Sequence, residues 1–159
     1  MVGGDKEEFE PLLPVGFHSL DTDRRWRLCV EEFPTSDTRA VIMANLERLI
    51  ATINSQGIVG NIWIDGSFMT KKLNPDDVDI ALILSRSEFE SLSTKQRLFF
   101  EHFRDTSFYD HLRIDNYGVV IDETDLGQWI YSYWLRQFGF SRKDEMKGIL
   151  KVPVPLVVQ

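Results

Sequence analysis

The chain is short of most features that would announce a class. One cysteine, Cys29, stands in 159 residues. No internal disulfide can form, and inside a helical pattern this residue reads as a small core side chain and not as a nucleophile. Basic residues are outnumbered, 18 Lys and Arg against 25 Asp and Glu, for a formal net charge of -7. A protein of this balance offers no broad basic face for a phosphate backbone, which argues against binding to bulk nucleic acid. No apolar run approaches the roughly 18 residues of a membrane span. The opening MVGGDKEEFE is acidic where a secretory leader would be basic and then apolar. The expected location is therefore cytoplasmic, with no membrane partner. Internal repeats and low-complexity tracts are missing, and His18, His102 and His111 show no metal-ligand spacing.

What remains is ample for a folded domain. Hydrophobic residues make up 43% and aromatics 12% of the chain, a composition that disfavours disorder. Pro11, Pro14 and Gly16 mark residues 1–19 as an extended arm, and residues 20–159 are long enough for a single domain with one core. Helices are predicted over 22–32, capped by Asp21 and stopped at Phe33-Pro34, and from a cap at Ser36 or Asp37 to Gly57. Two more follow over 87–104 and 124–138. The last carries an aromatic-rich stripe (Leu126, Trp129, Ile130, Tyr133, Trp134, Phe138) expected to pack into the core. Strands are predicted at 58–64, where Trp63 is buried packing, at 78–84 and at 112–121. A short strand at 149–154 suits a sheet edge because of Pro153. Helices alternating with strands give an α/β or α+β layer fold, a small mixed sheet flanked by helices.

The chemistry concentrates in NIWIDGSFMTKKLNPDDVDIALIL, residues 61–84. Side chains alternate along a strand, so Asp77 and Asp79 share one face while Val78 and Ile80 enter the core on the other. Two carboxylates about 6–7 Å apart on rigid backbone repel each other unless a cation sits between them. Such oxygen-rich sites suit Mg²⁺, with Mn²⁺ as the substitute ion. Gly66 and Ser67 follow the strand that ends at Asp65. A glycine there lets a phosphate approach the backbone, and the start of a short turn or helix at 68–72 presents N–H groups to it. Nine residues separate Ser67 from Asp77, enough to return the chain to an adjacent strand. A third carboxylate is expected from HLRIDNYGVVI, where Leu112 and Ile114 alternate inward and Arg113 and Asp115 outward. Asp115 is the candidate third ligand or general base. Lys71 is a candidate triphosphate contact, as are Lys72, Arg39 and Arg113. Asp122 and Asp125 are expected to charge the first turn of the last helix, and Lys147-Gly148 has no role legible in the sequence.

Gly66-Ser67, nine residues and Asp77-Val78-Asp79 together resemble the hG[GS]…DhD signature of the DNA polymerase β-type nucleotidyltransferase superfamily in its minimal form, over roughly residues 40–121. The segments LPVGFH, TSDTR, WIDGSF…NPDDVDI and YWLRQFGFSRKDEMKGI extend the likeness over nearly the whole chain, to small bacterial nucleotidyltransferase-like proteins. The resemblance implies a nucleotidyltransferase-like fold in which Gly66 and Ser67 hold a nucleoside triphosphate such as ATP. Asp77 and Asp79 would bind two divalent metals, and Asp115 would complete the set. It implies Mg²⁺-dependent transfer of a nucleoside monophosphate to an acceptor hydroxyl, on a partner protein of toxin–antitoxin or defence type or at a tRNA end. The alternative is a catalytically inactive binding module or antitoxin on the same fold.

Overall fold

The computed structural model describes residues 7–156; residues 1–6 of the expected arm and 157–159 of the expected domain lie outside them. Five strands form one mixed sheet: β1 Gly16–His18, β2 Gly60–Asp65, β3 Val78–Ser85, β4 Ile114–Ile121 and β5 Gly148–Val154. Their order is β1-β5-β2-β3-β4, with β1/β5 and β3/β4 parallel and β5/β2 and β2/β3 antiparallel. The helices are α1 Thr22–Trp26, α2 Arg39–Ser55, α3 Arg86–Glu90, α4 Thr94–Asp105, α5 Tyr109–Leu112 and α6 Asp125–Gly139. A π-helical turn, Arg27–Glu31, continues α1, and a 3-10 turn, Ser67–Met69, follows β2. The architecture is mixed α/β, with helices on both faces of the sheet. Among the described residues no helix is long and apolar enough to cross a membrane.

The alternation of the strands sorts the core into two. Ile62, Ile64, Val78, Ile80, Leu82, Leu84 and Ile114 point to one face, where Ile42, Leu46, Ile50 and Ile53 of α2 and Phe100 and Phe103 of α4 meet them. Trp63, Ala81, Ile83, Val119 and Ile149 point to the other face and pack against Phe138, Trp134 and Ile130 of α6. Apolar side chains on both sides make β2 and β3 almost continuously hydrophobic, the pattern of a strand buried on two faces.

Several expected elements differ. The helix over 87–104 is two helices, because Ser85 with Glu88 and Ser93 with Gln96 each build a reciprocal capping box that starts a new helix. The strand expected from Leu112 begins at Ile114, since Leu112 closes α5 and Arg113 turns the chain at φ 56°. The last strand is not at an edge over its first half: β1, drawn from the arm, pairs with Gly148 to Leu150. Pro153 lies beyond that short cover. The aromatic stripe of α6 is only partly core, for Trp129 is 80% exposed and Leu126 and Tyr133 also face outward. Trp63 is buried, as expected.

Candidate functional site

The face of the sheet that α6 covers at Ala81 and Ile83 runs on past that helix toward the C-terminal end of β2 and the N-terminal ends of β3 and β4. There the side chains change from apolar to acidic. The register sets Asp65 opposite Asp79 across the β2/β3 pair, and Asp79 opposite Asp115 across the β3/β4 pair. Asp77 precedes Asp79 by one alternation. The structure therefore brings together the three carboxylates expected from sequence: one oxygen each of Asp77, Asp79 and Asp115 lie within 4.8 Å of one another. All three side chains are partly buried. Asp115 reaches the cluster for the expected reason of strand alternation, whereas Arg113 does not share its face by that rule, being a turn residue. Arg113 instead donates from Nη1 to the Asp76 carbonyl at 3.3 Å.

Burial and the crowding of like charge both act on Asp79. Burial, followed by the neighbouring Asp77 and Asp115 charges, raises the pKa of Asp79 to about 7, and Lys147 opposes the shift. Asp79 also shares a side-chain hydrogen bond with Asp115. Tyr117, one alternation beyond Asp115, donates from its hydroxyl to Asp115 Oδ2 at 2.8 Å. Burial and this bond push the Tyr117 phenol pKa above its ordinary value. The carboxylates fit a hard divalent cation: they are all-oxygen donors, they converge, and they repel until a positive charge arrives.

Gly66 joins the cluster through its backbone. Its φ is +85°, and a Cβ placed on it would stand 2.6 Å from Asp79 Oδ2. Glycine is required on both counts, for the backbone conformation and for the close approach of the carboxylate. Ser67 opens the 3-10 turn. The loop beyond is held from two sides. Leu12 N donates to Met69 O, and Lys71 N donates to Glu10 O. From inside, Arg39 donates to the carbonyls of Cys29, Phe68, Thr70 and Lys72 and stacks 3.7 Å from the Phe33 ring centroid. Arg39 is fully buried. Its expected role as a phosphate contact is thereby corrected: every direction of the guanidinium is taken by the chain that shapes the loop. Burial lowers its pKa to about 10 and raises that of the neighbouring Cys29 to about 12, so Cys29 is the inert core thiol expected. Lys71 forms an exposed ion pair with Glu10, Nζ to Oε2 2.7 Å.

Three residues of this region have no role assigned from sequence. Tyr117 was legible, since it repeats the face of Asp115 two residues on. Asp65 was half legible, as an acid ending an apolar strand before Gly-Ser. It is 1% exposed, and burial raises its pKa to about 8. Its ion-pair partner is Lys147, Nζ to Oδ1 3.2 Å. Lys147 had no local signal at all, because only the return of β5 beside β2 delivers it.

A protein-family profile matches residues 7–153. The chain belongs to that family, DUF6932. DUF6932 is described as a family of unknown function, so membership transfers no activity to the acid cluster. No curated protein and no solved structure matches the chain.

Proposed function

We propose that this DUF6932 protein is a Mg²⁺-dependent nucleotidyltransferase. The observation that carries the reading is the convergence of Asp79 and Asp115 from adjacent strands with Asp77, the residue that enters β3, and the Gly66 backbone against Asp79. Mg²⁺, or Mn²⁺ in its place, bound by the three carboxylates would lower the pKa of an acceptor hydroxyl and neutralise charge on the departing pyrophosphate. Gly66 would leave room for the triphosphate to approach the backbone, and the Ser67 hydroxyl would donate to a phosphate oxygen. The new bond joins the acceptor oxygen to the α-phosphorus, the bond to the β-phosphate oxygen breaks, and the acceptor's proton passes to Asp115. Tyr117 keeps that carboxylate oriented through its hydrogen bond. The net charge of -7 favours a protein hydroxyl over bulk RNA as acceptor, in keeping with a toxin–antitoxin or defence pair, and a tRNA end stays compatible with it.

The test is transfer from an α-³²P-labelled nucleoside triphosphate, together with melting temperature in the presence of Mg²⁺, nucleotide, or both. A rise that needs both ligands, and its loss with labelled transfer in Asp77→Ala/Asp79→Ala while the far-UV spectrum is unchanged, supports the reading. Transfer that survives the double substitution removes it. A second reading, a binding module on the same fold without turnover, draws on the outward Leu126, Trp129 and Tyr133 of α6. It predicts no transfer with any nucleotide.

A further inference from the structure

Beside the three candidate ligands stands a fourth carboxylate, buried and held by a lysine. Asp65 is 1% exposed, and its contacts are the Lys147 ammonium and the Gly66 backbone N–H. It points to the same face as Asp79, directly opposite it in the strand register. A buried carboxylate is costly unless a charge compensates it. The compensation comes from Lys147, whose ammonium lies 3.2 Å from Asp65 Oδ1 with the side chain 13% exposed. The positive charge of Lys147 also acts on Asp79. The lysine is held at its backbone, where its N–H donates to the Gly139 carbonyl at the end of α6 at 2.8 Å.

Paired divalent ions in phosphoryl-transfer sites sit about 3.5–4 Å apart and share a carboxylate. The shared carboxylate here would be Asp79, which lies between its strand partners Asp115 and Asp65. A second ion, on the Asp65 side, would need the ground that the ammonium covers. We propose that Lys147 is a tethered stand-in for that second cation, so that the site takes one divalent ion, on Asp77, Asp79 and Asp115, with lysine serving the edge between Asp65 and Asp79. The proposal rests on the metal-site reading above and departs from the two-metal arrangement that the sequence resemblance implies. It makes Lys147 a positioning residue that sets the metal stoichiometry.

The experiment counts Mn²⁺ bound per full-length chain, by electron paramagnetic resonance of the free ion in a nucleotide-free titration. One ion per wild-type chain is expected, and two per chain in Lys147→Met, where the Asp65 carboxylate becomes available. One ion is expected again in Asp65→Asn/Lys147→Met, which removes the charge that would hold the second. Two ions on the wild type, or one on folded Lys147→Met, overturn the proposal while leaving the metal site intact. No ion on the wild type overturns both it and the reading it rests on. Should Lys147→Met fail to fold, Lys147→Gln keeps a donor beside Asp65 without the charge and carries the same expectation of two.

Discussion

Replacing Asp79 by asparagine is expected to stabilise the metal-free protein while ending its response to metal. In the folded chain the Asp79 pKa stands at about 7, raised first by burial and then by Asp77 and Asp115. In the unfolded chain it reverts to an ordinary carboxylate value, ~3.9. A raised carboxylate pKa means that the folded state binds the proton more tightly. The penalty is therefore complete above the folded pKa and fades as pH falls toward the unfolded one. A difference of roughly three pKa units corresponds to about 4 kcal/mol at pH 8, falling below about 1 kcal/mol at pH 4. Asparagine removes the charge but must still satisfy its amide, which takes back roughly half of that gain. The expected outcome is that Asp79→Asn is more stable than wild type by about 2 kcal/mol at pH 8, with the advantage shrinking as pH falls and reversed to a deficit of about 1 kcal/mol by pH 4. Urea denaturation in EDTA at a series of pH values measures this directly, and Mn²⁺ added at pH 8 should raise the wild-type midpoint alone. A variant less stable than wild type at pH 8, or an advantage independent of pH, refutes the account of Asp79 as a carboxylate held in place against its own repulsion.

Two further substitutions test the frame around the cluster. Gly66→Ala forces a Cβ into a backbone at φ +85° and against the Asp79 carboxylate at 2.6 Å. It should cost about 1–3 kcal/mol and weaken Mn²⁺ binding together, and wild-type values in both thermal shift and metal titration would contradict the geometry. Arg39→Met leaves the carbonyls of Cys29, Phe68, Thr70 and Lys72 without their donor. A loss of about 3 kcal/mol or more is expected in chemical denaturation, and a loss under about 1 kcal/mol would mean that water replaces the guanidinium.

The candidate site was legible in outline because its rule is local. Alternation along a strand places Asp77 and Asp79 on one face whatever the rest of the chain does, and the same alternation put Asp115 outward. Errors of boundary came from equally local details that were present but outweighed: the serines at 85 and 93, each followed three residues later by Glu or Gln, split one expected helix into two. Arg39 was misjudged for a different reason. Whether a guanidinium meets a phosphate or a set of carbonyls depends on what surrounds it, and its four carbonyl partners come from a turn and a loop distant in sequence.

By itself the sequence determined which residues face together over two or three positions, where glycine can serve, and that charge of one sign gathers around residues 76–79. Tertiary structure decided which strands lie side by side, and hence that Asp65, Asp79 and Asp115 form a row across three of them. It decided that the arm contributes a strand, and that Lys147 returns from far along the chain to meet a buried acid. The physical reason is range: side-chain periodicity is set by bond geometry over a few residues, whereas strand order, burial and ion pairing are set by the packing of the whole sheet between its two layers of helices.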